Sequence, residues 1–146
     1  MKEAYVHCVF DEEYIHYDGR SITGVISLGL GEAYFPSMYW NDFIDVLLGW
    51  WSDALLKMYE GSESRDCLFM DGSYHFKLRK QPDDRLLELS MYSDQRLMAD
   101  PCWVLKEDLR GSLMEVINNL VRYIKRKGWD YDVSGWNRLL GALREV

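Results

Sequence analysis

Three histidines are the residues of this chain best suited to proton transfer or metal binding, and they are His7, His16 and His75. Imidazole is the side chain whose ordinary pKa lies closest to neutral pH. Segments 4–10 and 13–17 are rich in β-branched and aromatic residues, which predicts two strands. A tight turn at residues 11–12 would then place His7 opposite His16, where two imidazoles could bind a metal ion or move protons.

A metal site at this histidine pair would still need a third ligand. The same face is expected to carry Tyr5 and Tyr14 as well, and the candidates for a third ligand, Tyr14 and Asp18, are weak ligands for this purpose. The pattern therefore favours a half-exposed strand face, with His75 structural in a later hairpin. A small enzyme or metal binder that uses His7 and His16 stays open as an alternative.

No catalytic signature accompanies the histidines. The chain contains no G-x-S-x-G, H-E-x-x-H, P-loop or G-x-G-x-x-G motif. Neighbouring carboxylates occur at residues 83–84, 107–108 and 130–132, but each group falls in a predicted loop or at a predicted helix start. Solvation and helix capping account for such positions. The sequence therefore predicts a protein that is not an enzyme and holds no cofactor or metal.

Composition narrows the class of partner. The 146 residues fit one domain, residues 1–146, and 24 acidic against 17 basic residues give a net charge of −7. A negative surface repels nucleic acid and anionic membranes and attracts basic proteins. Aromatic residues reach 14%, with six Trp and ten Tyr, which indicates a rigid core, an adhesive surface, or both.

The cysteines and the apolar segments indicate the compartment. Cys8, Cys67 and Cys102 are few and far apart, so neither a disulfide framework nor a zinc knuckle is expected. The first residues do not resemble a signal peptide. No stretch reaches about 18 apolar residues without charge, so no membrane span is expected. The expectation is a reduced, cytoplasmic protein.

Hydrophobic periodicity predicts the elements that must position these residues. An Asp-Gly turn at 71–72 lies at the centre of a hairpin over 65–78, in which Cys67 faces Phe76. Apolar residues at helical spacing predict a helix over 107–127 that stops at Gly128. The remaining predicted elements are strands at 21–28, 85–92 and 102–105, a helix that Ser37 or Asn41 caps and that ends near Tyr59, and a short C-terminal helix. The fold class is α+β: a mainly antiparallel sheet of about six or seven strands, packed against a central Trp-rich helix and two C-terminal helices.

The Trp-rich helix is the most unusual segment. It contains "WNDFIDVLLGWW" (residues 40–51), and a helical projection makes it apolar around more than half of its circumference. The remaining strip carries Asp42, Asp45 and Asp53 without a facing lysine. The strip is either solvated or the surface that a basic partner contacts.

The chain resembles the bacterial immunity proteins of contact-dependent and other polymorphic toxin systems. The resemblance rests on small size, acidity and order of elements, and on "WNDFIDVLLGWW" followed by the hairpin "LFMDGSYHF". It implies a stoichiometric inhibitor that neutralises a cognate toxin, for example a nuclease, through an acidic surface with aromatic anchors. No binding residue is carried over from the family.

The acidic residues that could contact such a partner lie at two predicted turns and on the Trp-rich helix: Asp11, Glu12, Glu13, Asp42, Asp45, Asp53 and Asp71. They cannot all share one surface. A structural or adaptor protein that forms homo-oligomers through its aromatic surface is the other alternative.

Overall fold

The chain forms ten strands, which are arranged in two sheets, and three helices, and this confirms the α+β class. A computed structural model describes residues 1–146 of the chain. The elements are β1 (Lys2–Glu3), β2 (Val6–Tyr17), β3 (Ile22–Leu30), β4 (Ala33–Phe35), β5 (Asn41–Phe43), α1 (Ile44–Tyr59), β6 (Ser64–Leu68), β7 (Tyr74–Lys80), β8 (Leu86–Ser93), β9 (Arg96–Leu97), β10 (Cys102–Leu105), α2 (Lys106–Lys127) and α3 (Ser134–Glu145).

The strands are divided between an N-terminal sheet and a central sheet, where a single sheet was expected. The N-terminal sheet has the order β2-β3-β4, and β5 pairs with the same edge of β3 further along. The central sheet has the order β1-β10-β8-β7-β6, with β9 beside β8. Every pairing is antiparallel except that of β1 with β10.

Helix α1 joins the two sheets into one core. It packs against β3 of the N-terminal sheet and against β6 and β7 of the central sheet. The indole of Trp51 is 1% exposed and meets the rings of Phe69 and Phe76 edge-on, each at 5.1 Å between centroids. Such edge-to-face contacts add to the stabilisation that comes from burying aromatic surface. Most of the apolar mass of the Trp-rich segment is therefore core.

Helix α2 lies along the outer edge of β2. The backbone N–H of Cys8 donates a hydrogen bond to the hydroxyl of Ser112 at 2.7 Å, so the helix satisfies a group that an edge strand would leave unpaired. The helix ends at Gly128, whose φ of 67° is left-handed, as the glycine stop predicts. Leu140 and Leu143 of α3 complete this side of the core.

The central hairpin has the predicted register. Cys67 pairs with Phe76 and Asp66 with Lys77, and the N–H of Phe69 donates to the carbonyl of Tyr74. Turn chemistry and alternation agree here, so the local sequence was sufficient.

The predicted first hairpin is wrong. Residues 6–17 form the single strand β2, which pairs along its length with β3 after a turn at residues 18–21. Asp11 does make a local turn contact, because its carboxylate accepts the N–H of Glu13 at 3.0 Å. The chain uses this contact in a β-bulge and then continues in the same direction.

The predicted start of α1 is also wrong. Residues 41–43 pair with β3, and the helix begins at Ile44 without a side-chain cap, so neither Ser37 nor Asn41 caps it. Pairing in the sheet satisfies backbone groups that a longer helix would have used. All three cysteines are buried and unpaired. No helix of the structure combines the length and the apolarity that crossing a membrane requires.

Candidate partner-binding surface

The N-terminal sheet has one face toward the core and one face away from it. On β3, Ile22, Ile26 and Leu28 belong to the core cluster. The residues between them point the other way because side chains alternate along a strand. Val25 is buried yet lies outside the core cluster. It is buried by side chains on the outer face of the sheet.

Aromatic side chains cover this outer face, and we refer to Tyr5, His7, Tyr14, Tyr34 and Tyr39 as the tyrosine face. The rings form two groups. The His7 ring stacks on Tyr5 with centroids 5.5 Å apart and meets Tyr34 edge-on at 6.5 Å. It lies directly over Gly29, where a β-carbon would come within 2.1 Å of the imidazole.

The second group forms a small apolar cleft. Tyr14 and Tyr39 meet edge-on at 6.4 Å. Together with Val25 and Asn41 they line a cleft of about 280 Å³. Tyr14 reaches this position because residues 12–15 of β2 bulge opposite the single residue Gly24 of β3.

Three of these tyrosines are more than half exposed. The exposed fractions are 58% for Tyr5, 55% for Tyr14 and 65% for Tyr39. Tyrosine offers a large rigid surface at low entropic cost, which is why it is enriched in protein interfaces. The tyrosine face therefore has the aromatic side chains that are typical of a binding surface. A sheet face that only contacts solvent does not need exposed aromatic rings.

The N-terminal part of the chain, which supplies the tyrosine face, is acidic. Residues 1–43 contain seven acidic and two basic side chains, a formal charge of −5 against −7 for the whole chain. The outer face of the central sheet differs, because there Asp66 lies 3.9 Å from Lys77 and Arg79 lies 3.4 Å from Glu88. Near the tyrosine face, neither Asp11 nor Glu13 makes an ion pair, although Asp11 lines a groove that also contains Arg122 and Arg126 of α2.

The structure separates the acidic residues proposed from the sequence. Asp11 pairs in register with Val25, so it shares the outer face with the tyrosines, and Glu13 is exposed on the bulge. Glu12 turns toward α2, where its carboxylate lies 3.4 Å from the guanidinium of Arg126. Asp11 and Glu13 therefore border the tyrosine face, and Glu12 does not stand free.

The prediction that Asp42 and Asp45 form a solvated strip is wrong. Asp42 is only 6% exposed. It accepts hydrogen bonds from the indole of Trp40 at 2.8 Å and from the N–H of Met70 at 3.3 Å. Asp45 is half-buried and accepts the hydroxyl of Tyr131 at 3.2 Å. Burial and the nearby Asp45 carboxylate raise the pKa of Tyr131. Both aspartates hold the fold together.

The other two candidates lie on separate surfaces. Asp53 is exposed on α1, beside Trp50 and the edge of β6. Asp71 is exposed at the tip of the central hairpin. Its carboxylate accepts the N–H and the hydroxyl of Ser73, and these hydrogen bonds lower the pKa of Asp71. Asp71 therefore serves the turn in which it lies.

The predicted histidine pair does not exist. His7 pairs with Gly29 and His16 with Thr23, positions six residues apart on β3, or roughly 20 Å at the rise of a strand. No group of three or more His, Cys, Asp or Glu side chains is arranged to hold a metal ion. His75 stacks on Tyr92 at 4.8 Å in the central sheet. His7 and His16 are therefore too far apart to bind the same metal ion.

The sequence placed Tyr5, His7 and Tyr14 on one half-exposed strand face, but it did not connect them with Tyr34 and Tyr39. Tyr34 comes from β4 and Tyr39 from the segment before β5, and no local pattern connects these segments with the first strand. The available signal was the alternation of Tyr5 and His7, which placed them on one strand face. Comparison of this chain with family models, with curated proteins and with solved structures finds no match.

Proposed function

We propose that this protein is an immunity-type binding protein that neutralises a basic cognate toxin through the tyrosine face. The observation that supports the proposal is the combination of exposed tyrosines with the carboxylates of Asp11 and Glu13, neither of which makes an ion pair. Tyrosine rings would contact lysine and arginine side chains by packing and by cation–π attraction. The carboxylates would speed association and select basic partners.

The cleft between Tyr14 and Tyr39 is the natural anchor site. Its floor is Val25 and its volume of about 280 Å³ suits one long side chain of the partner. An aliphatic stem would pack on Val25 while its charged end reaches toward Asp11, the register partner of Val25. A buried anchor of this kind, surrounded by weaker contacts, is how most interface energy is distributed.

The decisive experiment is co-purification with the toxin domain encoded next to this gene. Capture should succeed at low salt and weaken as salt screens the charges. In a separate assay, expression of this protein should protect cells from the toxin. The double variant Tyr14→Ala/Tyr39→Ala should abolish capture in a protein that remains folded. Full capture by the folded double variant would exclude the tyrosine face, and a gene without a toxin neighbour would weigh against the immunity role itself.

Formation of homo-oligomers through the same face is the second candidate, because exposed tyrosines would also suit self-association. In that case, light scattering would show a mass that increases with concentration and returns to the monomer value in Tyr39→Ala. A monomer at all concentrations would remove this candidate and leave the toxin proposal standing.

A further inference from the structure

The central sheet ends at β6, and part of this edge is open. Strand β6 pairs with β7 on one side only. The carbonyl of Glu63 and the N–H of Phe69 both point to β7, where they bond Lys80 and Tyr74. By the alternation of an antiparallel ladder, the backbone groups of Ser64, Asp66 and Leu68 point away from the sheet.

The outward groups at the carboxyl end of β6 are already bonded. The carbonyl of Leu68 accepts the indole N–H of Trp51 at 2.8 Å. Just beyond it, the N–H of Met70 donates to Asp42 at 3.3 Å. Residues 64–66 are exposed and have no such partner along this edge. The protein thus protects one half of the edge and leaves the other half able to accept a strand.

Helix α1 lies beside the open half of this edge. Trp50, Asp53 and Ala54 of α1 face Arg65, Asp66 and Leu68 of β6 across a groove of about 360 Å³. The side chains of Trp50 and Leu68 are 42% and 43% exposed. A strand edge with a helix alongside offers backbone bonds for affinity and side-chain contacts for selectivity.

The charges of the groove favour a basic occupant. Asp53 makes no ion pair, and Asp66 is 3.9 Å from Lys77 and half exposed. The one cation of the groove, Arg65, is directed at the hydroxyl of Ser62 at 3.3 Å. Asp53, on the α1 side of the groove, is therefore the carboxylate that no cation compensates and that a positively charged side chain would meet.

A second copy of the chain fits this edge poorly. Two β6 strands pairing about a two-fold axis at their centre would place the Asp66 carboxylates opposite each other. The register one residue away would do the same with the Arg65 guanidiniums. Like charges directly opposite on paired strands are destabilising.

We infer that the groove between α1 and the open edge of β6 is a docking site for an extended segment of a basic protein, which adds a strand to the central sheet. The segment would pair with the backbone of Ser64 and Asp66. Alternate side chains would turn to the two walls, an apolar one onto Trp50 and a basic one toward Asp53. This site lies on a different sheet from the tyrosine face and does not depend on it.

The test titrates the isotopically labelled full chain with the synthetic peptide Lys-Val-Lys-Val-Lys, blocked at both ends. The matched controls are the same peptide with Glu in place of Lys, and a version N-methylated at alternate amides. We expect shifts of the Ser64 and Asp66 amides and of the Trp50 indole N–H, and slower hydrogen exchange at Asp66, with the basic unmethylated peptide alone.

Substitutions distinguish binding of the peptide in the groove from nonspecific binding elsewhere on the protein surface. Trp50→Ala should weaken peptide binding at least about fivefold, whereas Trp103→Ala, an exposed tryptophan on the outer face of the central sheet, should change it less than about twofold. Asp53→Asn should weaken binding and reduce its salt dependence.

Several results would overturn the inference. These are the absence of shifts at β6 in the folded protein, equal binding of the acidic peptide, and equal binding of the N-methylated peptide. Shifts at β6 that grow with protein concentration alone would instead show that a second copy occupies the edge.

Discussion

The carboxylate of Asp42 accepts a hydrogen bond from the backbone N–H of Met70, 28 residues further along the chain, at 3.3 Å. The same oxygen accepts the indole N–H of Trp40 at 2.8 Å, and the other oxygen accepts the N–H of Phe43. One buried side chain thus connects β5, the start of α1 and the central hairpin. An aspartate that the sequence suggested for a partner is a junction of the fold.

Replacing this junction should cost stability. Asp42→Ala leaves the N–H groups of Trp40, Phe43 and Met70 without the carboxylate that accepts them, so the free energy of unfolding should fall by about 2–4 kcal/mol. Urea denaturation measures it. Asp53→Asn, at an exposed position of α1, is the control and should stay within about 0.5 kcal/mol of the parent. An Asp42→Ala protein as stable as this control would contradict the role of the junction.

Two glycine substitutions should change stability in opposite directions. A β-carbon at Gly24 would lie 3.0 Å from the Tyr14 carbonyl oxygen and 3.3 Å from the Ile15 α-carbon. Gly24→Ala should therefore displace the bulge and cost about 1–3 kcal/mol. A β-carbon at Gly111, in α2, meets nothing within 4 Å, so Gly111→Ala should raise stability by about 0.5–1 kcal/mol through helix propensity. Thermal and urea unfolding of both variants test the pair, and equal effects would show that the bulge is not tightly packed.

Stability should decline at alkaline pH because of the buried thiols. Burial raises the pKa of Cys8 from 9.0 to about 12, and it raises that of Cys67 in the same direction. Between these values the unfolded chain releases the proton and the folded chain keeps it, so ionisation favours unfolding. The contribution of the thiols to the free energy of unfolding should be constant below about pH 8, and this free energy should fall as pH rises above about 9.

The Cys8→Ala variant isolates one thiol in this measurement. It should be less stable than the parent near neutral pH, through lost packing, yet decline less steeply between about pH 9 and 11. A thiol reagent should label the native protein slowly and the urea-unfolded protein quickly at all three cysteines. Rapid labelling of Cys8 in the native state would show that its site is open.

The tyrosine face should lose binding without losing stability. Tyr14→Ala should weaken capture of the partner at least tenfold, or about 1.4 kcal/mol, because Tyr14 is an exposed anchor. Tyr92→Ala, on the outer face of the central sheet where Tyr92 stacks on His75, is the matched control and should leave capture unchanged. Surface plasmon resonance measures capture and urea denaturation confirms folding. If the two variants bind alike, the interface lies elsewhere.

Local sequence signals predicted the fold where they allowed one solution, and they failed where long-range strand pairing outweighed a local turn signal. The Asp-Gly turn and alternating residues around Cys67 and Phe76 had one consistent solution, and the structure has that register. Asp11 and Glu12 also carried turn chemistry, but the pairing of β2 with β3 outweighed it, and the turn became a bulge. Long-range pairing decided between outcomes that are equal in local terms.

The candidate site was predicted only in part. Acidity and aromatic content indicated a binding surface, and Asp11 and Glu13 are among the residues named in advance that border it. Tyr14, Tyr34 and Tyr39 were not foreseen as a group, because three separate segments supply them. The burial of Asp42 was equally invisible, since its partners lie up to 28 residues away.

The sequence by itself determined the α+β class, the central hairpin and the extent of α2 with its stop at Gly128. It also determined that the chain is acidic and rich in aromatic side chains. Turns, helix ends and alternation depend on residues a few positions apart, so they can be read locally. Only the tertiary structure decided that the strands divide into two sheets, that Asp42 is buried, and that the tyrosines gather on one face. Alternation shows that a strand has two different faces, but which face the core covers depends on what the rest of the chain brings against it.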